Sequence, residues 1–425
     1  MTNRQGPPLI GVRETARAVT ASASGDLASK LAVVVVSIMA ARALAPEVFA
    51  TYLGLLAAAH VGAAVWDAGV STLVTVERSR SRAPLSVLAE RVVRARLLAF
   101  PAWVGAFALA SLALGVATRP TAGNIASFAF VSLAISLQQP VLAAVRADLR
   151  FSQASAALFV GRWLTVVIFG GALALGLSDG DVELLGFSHL VGEAMVIVGA
   201  IVVMRRGSRD GAGAMWDGRS IGLRNALPYA ANSLINIAYN RLDILVVAVL
   251  VPASQLAAYA PASRVQDALY LVPSAIAAVA LPYLSRHGPH GDAGSWHTMR
   301  RLWSIGLLIA IPSTVLLTLF MPNVLAFLLG SEYSSAALPS RILAWSMPLA
   351  AIGAPLLAYM ISRGRGAQTT IAFASAGIVS LALHLILDPR FGALGAATAS
   401  LVRDVANVAV AGLLVWRAQR AKVGD

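Results

Sequence analysis

The chain of 425 residues has no cysteine, only two lysines and few charges of any kind, with Asp, Glu, Lys and Arg together making up 12%. Ordinary soluble domains carry about 25%. The absence of cysteine excludes disulfides, thiolate metal sites and a cysteine nucleophile. The two lysines, Lys30 and Lys422, do not follow the glycines of a phosphate-cradling loop, which argues against direct ATP hydrolysis. No His-Glu-x-x-His pattern occurs, and His287, His290 and His297 share one segment without carboxylates at ligand spacing, so no metal or other cofactor is expected. Segments between apolar runs are short. None has room for the external catalytic domain that a polymerase or glycosyltransferase would want, and the chain reads as a non-enzyme. The first eighteen residues carry Arg4, Arg13, Glu14 and Arg17 and no apolar run. They do not resemble a cleaved signal peptide, so the first hydrophobic span is expected to be retained.

What is abundant is hydrocarbon. The sequence is 58% hydrophobic with a mean hydropathy of +0.75, and apolar runs long enough to cross roughly 30 Å of bilayer recur along its whole length. Spans are expected near 19–41, 49–76, 97–117, 122–145, 153–176, 183–204, 225–250, 256–284, 302–322, 337–361, 368–387 and 392–416. The net charge of +13 is distributed as topology would place it, not as a nucleic-acid surface. Of 33 Lys and Arg residues, 24 fall in alternate segments beginning with the N-terminus, whereas only Arg42, Arg119, Arg341 and Arg390 fall in the opposite set. Cytoplasmic loops are enriched in Lys and Arg, so both termini are expected in the cytoplasm.

The chain also repeats itself. Pro140, a basic pair and Gln153 recur as Pro355, a basic pair and Gln368, and LAPEVFATY after the first span matches LVPASQLAAY after the seventh. An N-terminal six-helix lobe (1–206), a polar linker (207–222) and a C-terminal six-helix lobe (223–425) follow, as parallel repeats of an all-α membrane protein around a central cavity. Alternating-access carriers place a substrate site between such halves.

Eleven ionisable residues lie inside these spans: Asp26, Lys30, Asp67, Arg162, Glu193, Arg241, Asp243, Arg264, Asp267, Arg403 and Asp404. Facing lipid, they would cost on the order of 30 kcal/mol together. They are expected to face protein, water or each other, with Asp26–Lys30, His189–Glu193 and Arg264–Asp267 at helical pairing distance. Asn225, Tyr229, Asn232, Asn236, Asn240 and Asp243 form one polar stripe along the seventh span. A stripe of that length is expected to line a wet cavity of mixed sign. Arginine's planar fork matches phosphate oxygens, which makes Arg162, Arg241, Arg264 and Arg403 candidate holders of a pyrophosphate head group, beside Asn232, Asn236 and Asn240. The alternative is that these arginines only neutralise Asp243, Asp267 and Asp404.

The stretch Ala41 to Val74 resembles the opening of the polysaccharide flippases, members of the multidrug, oligosaccharidyl-lipid and polysaccharide exporter superfamily. The shared features are Ala41-Arg42, the turn Ala45-Pro46-Glu47, Tyr52, and Asp67 with Gly69; Asp243, Tyr259, Arg264, Pro282 and Ser285 fit the seventh and eighth helices of the same pattern. The usual turn glycine is replaced by Ala45. The resemblance implies a bacterial inner-membrane flippase for a polyprenyl-pyrophosphate-linked oligosaccharide, serving O-antigen (lipopolysaccharide), exopolysaccharide or a similar glycan, with a polymerase or other assembly proteins as possible partners and no nucleic acid. A drug or cation antiporter of the same superfamily is the alternative. Asp26, Lys30, Asp67, Glu193, Asp243, Asp267 and Asp404 are the candidates for coupling to an ion gradient.

Overall fold

A computed structural model describes residues 12–67, 69–74, 85–113, 120–148, 150–177, 181–207, 223–274, 276, 284, 292–363 and 365–420. The expected linker lies outside them apart from Gly207, as do Thr75, Pro282, Ser285, His287 and His290. Among the described residues the chain is helical: α1 (Val12–Ala43), α2 (Pro46–Asp67), α3 (Leu85–Ala113), α4 (Ala122–Ala147), α5 (Phe151–Ala174), α6 (Val182–Gly207), α7 (Leu223–Leu250), α8 (Ala253–Leu269), α9 (Asp292–Leu328), α10 (Ala337–Ala344), α11 (Ser346–Ser362), α12 (Gly366–Phe391) and α13 (Ala393–Arg420). Each of the twelve expected spans falls on a helix or a broken pair. The tenth is a 3-10 turn (Ser331–Ala336) continued by α10 and α11, entered through Gly330 at φ 118°, where a side chain would be strained.

Two starts differ from expectation. The third and ninth spans begin at Leu85 and Asp292, about ten residues early, so Arg91, Arg94, Arg96, Arg300 and Arg301 are helical rather than loop residues. At 1.5 Å per residue, α9 runs about 55 Å and outreaches the hydrocarbon. The second span breaks after Asp67, where Gly69 adopts φ 77°. There the Asp67 carboxylate accepts hydrogen bonds from the Ser71 N–H and hydroxyl at 3.2 and 2.7 Å, capping the next turn.

Eight helical segments are long and apolar enough to cross a membrane. Helix α8, with 17 residues, is too short to count among them, and α1 and α7 are too polar. The two lobes pack by one rule. In the first, α1 lies on α5, α5 on α6, α4 on α6, α2 on α4 and α3 on α4; in the second, each of these pairs recurs six spans later, as α7 on α12, α12 on α13, α11 on α13, α8 on α10 and α9 on α11. Between lobes α2 meets α7 and α8, and α1 meets α8, the pattern expected of parallel repeats about an axis along the membrane normal.

The cores show where the lobes join. At the end of the bundle holding the α1–α2 turn, a single apolar core runs through both lobes, from Leu44, Phe49, Leu53 and Phe128 to Val247, Leu256, Leu325 and Leu343. At the other end each lobe has a core of its own: Val145, Ala154, Val196 and Ala200 in one, Met299, Leu356, Met360 and Val415 in the other. The bundle is therefore closed at one end and split at the other.

Candidate functional site

In the split between the lobes lie two adjoining compartments. The first, about 370 Å³, is lined from the N-terminal lobe by Lys30, His60, Arg146, Arg162 and His189 and from the C-terminal lobe by Arg241, Arg264 and Ser274. Among the described residues its wall carries five Lys or Arg side chains and no carboxylate. The second, about 470 Å³, is lined mainly by the C-terminal lobe, including Tyr239, Asn240, Asp267, Tyr270, Phe373 and Asn407. Lys30, Val33, Arg241 and Ser274 belong to both walls.

The carboxylates stand mostly behind this surface. Glu193 is buried and ion-paired to Arg162. The pair exists because α5 and α6 cross closely at two glycines: a Cβ on Gly192 would lie 2.7 Å from the Gly161 carbonyl oxygen. His189, expected beside Glu193, instead meets the Tyr52 hydroxyl through Nε2 at 2.9 Å. Asp67 pairs with Arg96 at 3.0 Å, both side chains 4% exposed, away from the cleft. A buried pair of this kind is costly to break from one side, by about 3–5 kcal/mol.

In the C-terminal lobe the charges form a connected network. The Asp267 carboxylate, 40% exposed, takes Arg241 at 3.2 Å and Arg264 at 2.8 Å on one oxygen. Behind it, Arg403 donates to Asp404 at 3.1 Å and to the Tyr239 carbonyl at 3.0 Å, and lies 3.9 Å from Asp243. Asp404 also accepts from the hydroxyls of Tyr239 (3.0 Å) and Tyr270 (2.5 Å), and Asp243 accepts from Tyr259 at 2.8 Å. Tyr259 in turn contacts Ser400 at 2.9 Å.

The structure thus brings Lys30, Arg162, Asn240, Arg241, Arg264, Asp267 and Asp404 to the cleft. It places Glu193, Asp243 and Arg403 just behind its wall, and Asp67 apart. The side chains of Asp26, Asn232 and Asn236 lie outside the described residues. Arg146, expected in a loop, and Tyr239, Phe373 and Asn407, unassigned from sequence, line the cleft, as does His60, which shares a polar face of the second span with Asp67, Ser71 and Thr75 in the sequence. Two of these carried a readable signal: Tyr239 sits four residues before Asp243 on the polar stripe, and Asn407 sits three and four residues beyond Asp404 and Arg403 on one helix face.

A split two-lobed bundle of paired helical repeats with a polar cleft between the lobes is the fold of solved flippases and multidrug transporters. Solved structures of that fold are similar over nearly the whole chain. The lipid II flippase MurJ in an inward closed conformation matches with a TM-score of 0.72 and 11% identity, over 93% of this chain and 87% of its own. A multidrug resistance MATE family transporter in an inward-facing conformation gives 0.70 and 14%, over 95% of each chain. An outward-facing MATE transporter gives 0.60 and 16%, over 96% and 95%. No curated protein matches by sequence. The chain belongs to the polysaccharide biosynthesis protein family, whose model matches residues 38–338.

Proposed function

We propose that this protein is a flippase that carries a polyprenyl-pyrophosphate-linked oligosaccharide across the bacterial cytoplasmic membrane for cell-surface polysaccharide assembly, by alternating access between lobes 1–206 and 223–425. The observation that carries the reading is the wall of the first compartment. Among the described residues five cations and no carboxylate line it from both lobes, against Glu193 and Asp267 paired to three of them, an excess of positive charge that suits a dianionic head group held by fork-like donors. The same wall would repel the cationic substrate of a drug antiporter, which needs carboxylates at the surface of its cleft. The family and the MurJ-like fold support the reading.

On this reading both termini, and with them the split end of the bundle, lie in the cytoplasm, which the Lys and Arg bias of alternate segments supports. The state described is then open to the side on which lipid-linked sugars are made. Asp267 is the coupling candidate the geometry favours. It is the acidic side chain shared by Arg241 and Arg264, so a pyrophosphate arriving on those arginines competes with it for the same donors. A polymerase is the natural consumer of the delivered glycan.

Reconstitution decides the matter. Proteoliposomes holding the purified protein should move a fluorescent polyprenyl-pyrophosphate oligosaccharide to the opposite leaflet and should not accumulate a cationic dye. Dye transport without lipid movement would replace this reading with the antiporter.

A further inference from the structure

We infer that the second compartment is a glycan subsite selecting an uncharged sugar next to the pyrophosphate, and that Asn407 is a specificity residue within it. The inference rests on the flippase reading and deepens it. The two compartments differ in charge. Among the described residues the wall of the first carries five cations and no anion, with Glu193 and Asp267 paired to three of the five, whereas the wall of the second carries two cations, Lys30 and Arg241, and two anions, Asp267 and Asp404. Asp404 is itself held by Arg403, Tyr239 and Tyr270. A phosphate therefore gains in the first space and finds no net attraction in the second. Because Lys30 and Arg241 belong to both walls, the bond between phosphate and first sugar would cross at these two side chains.

The chemistry of the second wall is that of a sugar site. Polar groups are few and fixed among apolar surface, as in pockets that orient a neutral ligand. Tyr239 and Phe373 meet edge to face at 4.9 Å, presenting aromatic surface beside the exposed Asn240. The decisive group is Asn407. Asn407 is only 8% exposed, it lies on this wall, and its Oδ1 has no hydrogen-bond partner among the described residues. An acceptor buried without a donor is destabilising, and a sugar hydroxyl or acetamido N–H supplies that donor. A site built around such a group discriminates against ligands that lack it. A uronic acid brings a further anion toward Asp267 and has no unpaired cation to receive it.

The full-length protein in lipid nanodiscs would be titrated with three probes: polyprenyl pyrophosphate, the same lipid bearing one N-acetylhexosamine, and the same lipid bearing one uronic acid. The wild type should bind the N-acetylhexosamine lipid more tightly than the sugar-free lipid and the uronic acid lipid no more tightly. Asn407→Leu, with Asn407→Ala as the second variant should the first fail to fold, should reduce the ratio of N-acetylhexosamine to sugar-free affinity about threefold to tenfold, the worth of one neutral hydrogen bond. The sugar-free probe is the internal reference for the arginine compartment. An unchanged ratio in both variants, or an equal gain for the uronic acid, overturns the subsite. Failure of the wild type to bind any of the three lipids overturns instead the flippase reading beneath it.

Discussion

The closed and split ends of the bundle use the same residue types to opposite purposes. At the closed end, alanine, leucine and phenylalanine from both lobes share one core. At the split end each lobe keeps its apolar residues to itself, and the faces turned toward the other lobe carry arginine, lysine and histidine. The difference teaches how such a bundle can rock. Apolar packing between lobes is non-directional and reversible, whereas like charges facing one another across a wet gap oppose closure until an anion fills it. On the flippase reading proposed above, an anionic substrate would then be the condition for closing the split end, because a ligand shifts such an equilibrium only by binding the two states differently.

The largest way to break this contrast is to discharge the split end. Arg241→Gln with Arg264→Gln removes two charge-assisted donors, each worth about 1.5–3 kcal/mol, so affinity for polyprenyl pyrophosphate should fall by about a hundredfold or more and transport with it. Asp267 stays hydrated in the cleft, so the melting temperature should change little. Equal affinity in the double variant would leave these arginines as mere partners of Asp267.

A smaller effect tests whether each lobe moves as one body. Gly192→Ala forces a methyl against the Gly161 carbonyl and Thr165 at the α5–α6 crossing, an overpacking cost of about 1–3 kcal/mol. The melting temperature should drop, while distances across the closed end stay fixed. A change in those distances would mean that the N-terminal lobe is not rigid.

Much of this was legible in the sequence, and the omissions have physical reasons. Periodicity and length located all twelve spans, since a helix in lipid must satisfy its own backbone. The cleft was legible in the charges inside the spans, because a charge at bilayer depth needs an inward reason, whereas of the α7 stripe only Asn240 and Asp243 fall among the described side chains. Partner choice was not legible. Spacing on one helix suggested His189 with Glu193, yet Glu193 reaches Arg162 on α5 and His189 reaches Tyr52 on α2. Arg96 and Arg146 read as loop charges because hydropathy windows trim helix ends that carry arginine, and only packing shows Arg96 closing on Asp67. The polarity of the cleft wall was likewise hidden. Counting charges per span gives a mixed site, and which of them stand at the surface depends on tertiary structure.

Arg42 was the least legible of all, because its partners are backbone atoms nearly 290 positions away. Its guanidinium donates to the carbonyls of Phe327 and Leu328 at the end of α9, while the Tyr333 hydroxyl donates to the carbonyls of Ala41 (2.8 Å) and Leu44 (3.2 Å) at the end of α1. A helix leaves its last carbonyls without partners, and here each lobe supplies the cap for the other. The closed end is thus held by directional bonds as well as by its core, and opening it must uncover both helix ends to water. Tyr333→Phe with Arg42→Gln should remove about 1–2 kcal/mol from the closed arrangement, a roughly fivefold to thirtyfold shift toward separation. The chain has no native cysteine to interfere, so spin labels at Ala45→Cys and Ser334→Cys, both exposed, can report the distance across this end directly. A longer-distance population should grow in the double variant. Should the distribution stay that of the otherwise wild-type labelled protein, the apolar core alone holds the lobes together and the reciprocal caps contribute nothing to the balance.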